Sequence, residues 1–153
     1  MVLGVGQLPS MHKHLSIRTI LRWLPAVAWM VLIFWLSAQP ELPRPRSDLV
    51  NLILRKTAHF TAYGVLALCY LWALGTWRAW RWALLLAVLY AISDEYHQAW
   101  TPQRHPALLD VGIDTAGAAT ALGLVWDGRR RIIAKIARSS AADHGPARAE
   151  PHV

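Results

Sequence analysis

The chain holds one cysteine, Cys69, and it lies inside an apolar run. That excludes an intramolecular disulfide and a cysteine-based metal motif. Charge is also scarce, with Asp, Glu, Lys and Arg at 16% of the residues, where an average soluble domain carries roughly a quarter. Acids are the rarer sign, nine against sixteen Lys and Arg. There is no HExxH and no G-x-S-x-G, so two common hydrolase signatures are missing.

What fills the chain instead is apolar. Hydrophobic residues reach 55%, and nine are Trp. Several tryptophans, among them Trp23, Trp77 and Trp126, stand at the edges of apolar runs, where bilayer-interface belts place them. This is a membrane composition, and 153 residues make one domain. The net charge of +7 does not point to nucleic acid. The basic residues lie in short flanks between apolar segments and form no folded basic face.

The sequence predicts an all-α membrane fold, a four-transmembrane-helix bundle with short loops. Residues 1–16 form a flexible basic lead. The membrane domain covers 17–126, with spans at about 17–38, 57–77, 78–98 and 108–126. In the first span Pro25 is tolerated near the start, and Arg18 and Arg22 snorkel. Leu36 stands where a signal-peptidase site needs a small residue, so cleavage after Ala38 is not expected. Residues 39–56 are a proline-rich loop, with a short interfacial helix over 48–54. Residues 127–153 are a basic tail, helix-like at first and disordered from Ser139. Eleven Lys and Arg fall in the lead, the Arg78–Arg81 turn and the tail, against five in the other two loops. The positive-inside bias therefore puts the N and C termini in the cytoplasm of a multi-pass bacterial inner (cytoplasmic) membrane protein.

The stretch from Tyr90 to Asp114 carries the costly residues. At 100° per residue Lys56, His59, Tyr63 and Tyr70 fall within about 60° of one another. Tyr90, Asp94 and Gln98 share a stripe on the third span, with Glu95 turned away by about a quarter circle. Asp110, Asp114, Gly117 and Ala121 line up on the fourth. Turning the three stripes together makes a polar pocket at the outer ends of the spans. Its expected lining is Lys56, His59, Tyr63, Asp94, Glu95, Gln98, Arg104, Asp110 and Asp114. The plainer alternative is interhelical glue, with Lys56 and Arg55 neutralising Asp110 and Asp94. An ionisable group near the bilayer centre costs at least about 2.5 kcal/mol. Asn, Ser or Gln would make glue at lower cost, so the excess of ionisable groups favours a pocket.

Two chemistries fit such a pocket. As a binding site, Lys56, Arg104 and Arg55 supply charge-assisted donors, while Tyr63, Gln98 and Trp100 orient a polar or anionic headgroup. As an intramembrane hydrolase or transferase, the catalytic candidates are His59, Asp94, Glu95 and Asp110. His59 would be a general base tuned by Asp94 or Asp110, or these groups with Glu95 would hold a divalent metal. Ser93, four residues before His97, is the weakest candidate for a nucleophile. No other cofactor is expected. A proton pathway ranks last, because the polar groups are confined to one end of the spans.

The segments FWLSAQP, RKTAHFTAYGVLAL and SDEYHQAWTPQRHPALLDVGIDTAGAATALG together resemble the VanZ-like family of small bacterial membrane proteins. The matching positions include Ser37, Gln39, Lys56, His59, Tyr63, Ser93, Asp94, Glu95, Gln98, Pro102, Arg104, Asp110, Asp114 and Gly117. Arg55 departs from the acid that often precedes the Lys, and Asp114 from the common Asn. The resemblance implies a cell-envelope protein whose founding relative is linked to resistance to the glycopeptide teicoplanin. The partners it suggests are the lipid bilayer with envelope lipids, lipid-linked precursors or a lipophilic glycopeptide.

Overall fold

The structure is a computed structural model and describes residues 17–39, 48–100 and 108–143. The expected lead at 1–16, the loop tips at 40–47 and 101–107 and the end of the tail lie outside the described residues. Four helices follow one another: α1 (Ile17–Ser37), α2 (Asp48–Leu74), α3 (Trp80–Gln98) and α4 (Leu108–Asp143), with a 3-10 turn over Trp77–Ala79 leading into α3. No strand occurs among the described residues. Helices satisfy their backbone polar groups internally, as a lipid-embedded chain requires. Three of them, α1, α2 and α4, are long and apolar enough to cross a membrane.

Two helices outrun their sequence-based limits. α2 begins at Asp48 and runs unbroken through what read as a separate interfacial helix, because Leu49, Leu52 and Ile53 continue its apolar pattern without a helix breaker. α4 continues to Asp143, where disorder was expected from Ser139. The segment RIIAKIARSSAA is rich in Ala, Ile, Arg and Lys, which carry a helix forward without tertiary support. α2 stops cleanly at Gly75. That glycine takes a left-handed conformation at φ 69° and donates its N–H to Leu71 and Trp72 carbonyls at 3.3 and 3.1 Å.

The buried core combines alanines with a few large side chains. It comprises Ala26 and Ile33 of α1, Tyr63, Leu66, Ala67 and Tyr70 of α2, Ala83, Ala87 and Ala91 of α3, and Ala118 and Leu122 of α4. Large apolar residues such as Leu24, Val31, Trp35, Ile53, Trp72, Leu85 and Leu124 point outward. In water so much contiguous apolar surface would aggregate. Alanine at six of the eleven core positions lets the helices approach closely, as they do in lipid.

α2 packs against each of the other helices, most extensively against α4. A Cβ on Gly117 would lie 2.7 Å from the Phe60 carbonyl carbon and overlap its oxygen. One on Gly64 would lie 3.2 Å from the Gly117 carbonyl. These two glycines let the backbones of α2 and α4 touch. The helices run parallel, because Lys56 faces Asp110, His59 faces Asp114 and Gly64 faces Gly117 in rising order. α1 and α3 run the other way and are parallel to each other, with Tyr90 meeting Met30 and Asp94 meeting Ser37. α1 is tied in by hydrogen bonds from Trp29 Nε1 to the Ala62 carbonyl at 2.9 Å and from Tyr90 to the Met30 carbonyl at 2.6 Å.

The bundle therefore has two unlike ends. One gathers Ser37, Asp94, Gln98, Lys56, Asp110, His59 and Asp114. The other carries the Trp77–Trp126 stack, with ring centroids 5.6 Å apart. At ~1.5 Å per residue, Asp110 and Trp126 are separated along α4 by about 24 Å. That approaches the ~30 Å thickness of a bilayer core.

Candidate functional site at the polar end

Ser37 closes the buried face of α1 and points at α3. Its Oγ donates to Asp94 Oδ2 at 2.9 Å, and Gln98 Nε2 donates to the same oxygen at 3.0 Å. All three residues are buried. The buried stripe of α3 is alanine at 83, 87 and 91 and then becomes Asp94, Glu95 and Gln98. The acids thus occupy core positions. Glu95, a quarter circle off the Asp94 stripe, is buried too, because α3 touches α1, α2 and α4 and so covers a wide face.

Across the α2–α4 seam, the Lys56 ammonium pairs with Asp110 Oδ1. One turn deeper, His59 Nδ1 stands 3.3 Å from Asp114 Oδ1, within ion-pair range but off the hydrogen-bonding line. Asp114 is 1% exposed and its Oδ2 has no hydrogen-bond partner among the described residues. Tyr63 joins the two halves. It is fully buried, it stacks on His59 one turn away at 6.3 Å, and it lies within electrostatic reach of both Asp94 and Asp114. A buried carboxylate that finds donors inside the protein can remain in a core, and a missing donor is costly.

The hollow that opens at this end takes in few of the expected polar residues. A cavity of about 150 Å³ opens between α1 and α2, with Ile33, Leu36, Ala58 and Ala62 as its apolar wall and Ser37, Arg55, His59 and Tyr63 as its polar one. Of the expected lining residues, only His59 and Tyr63 reach it. Lys56, Asp94, Glu95, Gln98, Asp110 and Asp114 are packed into the helix seams, and Arg104 lies outside the described residues. Lys56 and Asp110 neutralise each other, and Asp94 is held by Ser37 and Gln98, so these groups need not face the opening. Arg55 replaces Lys56 as the exposed cation, and it forms no ion pair among the described residues.

The catalytic candidates rearrange as well. The carboxylate beside His59 is Asp114, in place of the expected Asp94 or Asp110. Ser93 and His97 do not form a pair. The Ser93 hydroxyl is exposed and donates to the Tyr90 carbonyl at 2.8 Å, while His97 stacks on Phe34 at 4.0 Å. Among the described residues no three His, Cys, Asp or Glu side chains are grouped to hold a metal ion. Ser37 was absent from the expected site residues. The signal was present, since Ala26, Ile33 and Ser37 repeat at helical spacing on one face.

The sequence model of the family described as VanZ/LLP1 matches residues 22–133, which include all four helices except the first turn of α1 and the last turns of α4. The chain belongs to that family. No curated protein and no solved structure matches it.

Proposed function

From that membership, we propose that the chain is a four-span protein of the bacterial inner membrane with cytoplasmic termini. Its polar end faces outward and receives the headgroup region of an amphiphilic envelope molecule, either a lipid-linked precursor or a lipophilic glycopeptide. α3 is the fourth span. Its 19 residues reach about 28 Å at the usual helical rise, and its acids are sheltered by partners at one end.

The observation that carries this reading is the two-faced cavity between α1 and α2. Its apolar wall, Ile33, Leu36 and Ala62, continues along the helices, while Arg55 and His59 offer donors at its mouth. An anionic or hydrogen-bonding headgroup with an apolar tail fits that division. The buried acids behind it hold α1, α2, α3 and α4 in place around the opening. A role in glycopeptide resistance would follow if such a ligand is sequestered or its supply altered.

The test is titration of the purified chain in phosphatidylcholine nanodiscs with a polyprenyl phosphate and, separately, with teicoplanin. Arg55→Ala is expected to weaken one of them about tenfold or more, in line with loss of one charge-assisted contact. Failure of both probes to bind wild type would remove the reading.

A second reading rests on the His59–Asp114 pair. A carboxylate beside an imidazole that borders a cavity is an arrangement used for general-base catalysis. Release of phosphate or a shortened headgroup from a lipid-linked substrate, abolished by His59→Gln with the fold intact, would favour a hydrolase or transferase.

A further inference from the structure

A second cavity lies at the opposite end, between α3 and α4. It measures about 350 Å³ and is lined by Trp77, Trp80, Leu84, Ala119, Leu122, Gly123 and Trp126. Two guanidinium groups lean on its walls. Arg81 sits 5.4 Å from the Trp80 ring centre, and Arg129 sits 5.7 Å from that of Trp77. Cation–π contact holds both charges at the rim.

The lining changes along the helix axes. The tryptophans and arginines stand at the outer edge, while Leu84, Ala119 and Leu122 lie one to two turns deeper toward the middle of the bundle. Trp80 and Trp126 on its walls are 38% and 47% exposed, so the groove opens on the outer surface of the bundle. Its volume is at the low end of the ~300–1,000 Å³ typical of ligand sites. That suits a single chain.

We propose that this groove is a site for an anionic phospholipid. Its acyl chain lies along Leu84, Leu122 and Gly123, and its phosphate sits at the rim that carries Arg81 and Arg129. Charge complementarity selects the occupant. A zwitterionic lipid would fill the apolar part equally well but gain less from two arginines. The site is separate from the cavity proposed for the envelope ligand, and it stands if that reading fails.

Native mass spectrometry of the delipidated full chain, titrated with dioleoylphosphatidylglycerol or dioleoylphosphatidylcholine, tests the proposal. Each arginine near the surface contributes about a fivefold preference for the anionic lipid, so wild type should favour it by roughly twentyfold or more. Arg81→Gln with Arg129→Gln should bring the two lipids level. Both side chains are exposed, so the fold is not at stake. Gly123→Leu should weaken both lipids, since a Cβ there meets nothing within 4 Å and its side chain fills the groove. Equal binding of the two lipids by wild type would overturn the proposal. So would undiminished binding by Gly123→Leu, or a dimer whose interface occupies the groove.

Discussion

His59 Nδ1 faces Asp114 Oδ1 across 3.3 Å, one turn below the pairing of Lys56 with Asp110. The repeat arises because α2 and α4 run parallel and in register, and Gly64 and Gly117 bring their backbones into contact just beneath. Ion pairs above and a glycine contact below therefore specify one alignment of the two helices. A slip of one turn would set His59 against Ala118 or carry Lys56 past Asp110, and either way it would press Ala121 or Ile113 against Phe60.

The glycine contact gives the sharpest stability contrast. Gly117→Ala places a methyl inside the Phe60 peptide, which backbone cannot yield to without separating the helices. A loss of about 3 kcal/mol or more is expected, at the upper end for overpacking. Gly112→Ala and Gly128→Ala add a methyl to open space in the same helix and should be neutral or stabilise by up to about 1 kcal/mol. Unfolding titrations in mixed micelles would show the difference, and equal behaviour of the three variants would refute the close approach.

Ser37 and Gln98 donate to one oxygen of a buried carboxylate. Removing either, as Ser37→Ala or Gln98→Ala, should cost about 1–3 kcal/mol. Because the two share Asp94 Oδ2, their effects should not add, with a coupling of at least ~0.5 kcal/mol in a double-mutant cycle. Strict additivity would mean that the three side chains do not form one network.

Lys56 and Asp110 are 30% and 19% exposed, so their pairing is partly screened. Lys56→Ala leaves a half-buried carboxylate alone and should destabilise by about 1–2 kcal/mol. Adding Asp110→Asn should restore most of that loss. The same Lys56→Ala variant should leave polyprenyl phosphate and teicoplanin binding unchanged, because the side chain is turned into the seam and does not reach the cavity.

Topology is open to cysteine labelling once Cys69 is replaced by Ser. Trp100, 76% exposed at the end of α3, and Thr76, exposed in the turn before it, lie at opposite ends of the bundle. An impermeant maleimide should label Trp100→Cys in intact spheroplasts and reach Thr76→Cys only after permeabilisation. The reverse pattern would invert the proposed orientation.

Much of this arrangement was legible in the chain. The 100° stripes brought Lys56, His59 and Tyr63 to one face of α2 and Asp110 and Asp114 to one face of α4, and the structure turns those faces together. Azimuth does not encode depth, however. Which acid meets His59 depends on the register of α2 against α4, and that is set by the Gly117–Phe60 contact. Ser37 stands in the family-like FWLSAQP segment, but a single hydroxyl at the end of an apolar run carries no charge to mark it as a partner of Asp94. The burial of Glu95 and the withdrawal of the carboxylates from the opening follow from how many helices surround α3, which no single segment states.

What occupies the cavity between α1 and α2 in living membranes decides the proposed function most directly. A photoreactive amino acid at Ala58, on the cavity wall, should crosslink in intact cells to a lipid-linked or glycopeptide species. That species should be absent from the same probe at Leu85 on the outer face of α3, and it should be lost with Arg55→Ala. Recovery of only bulk phospholipid from Ala58, in the proportions found at Leu85, would contradict it.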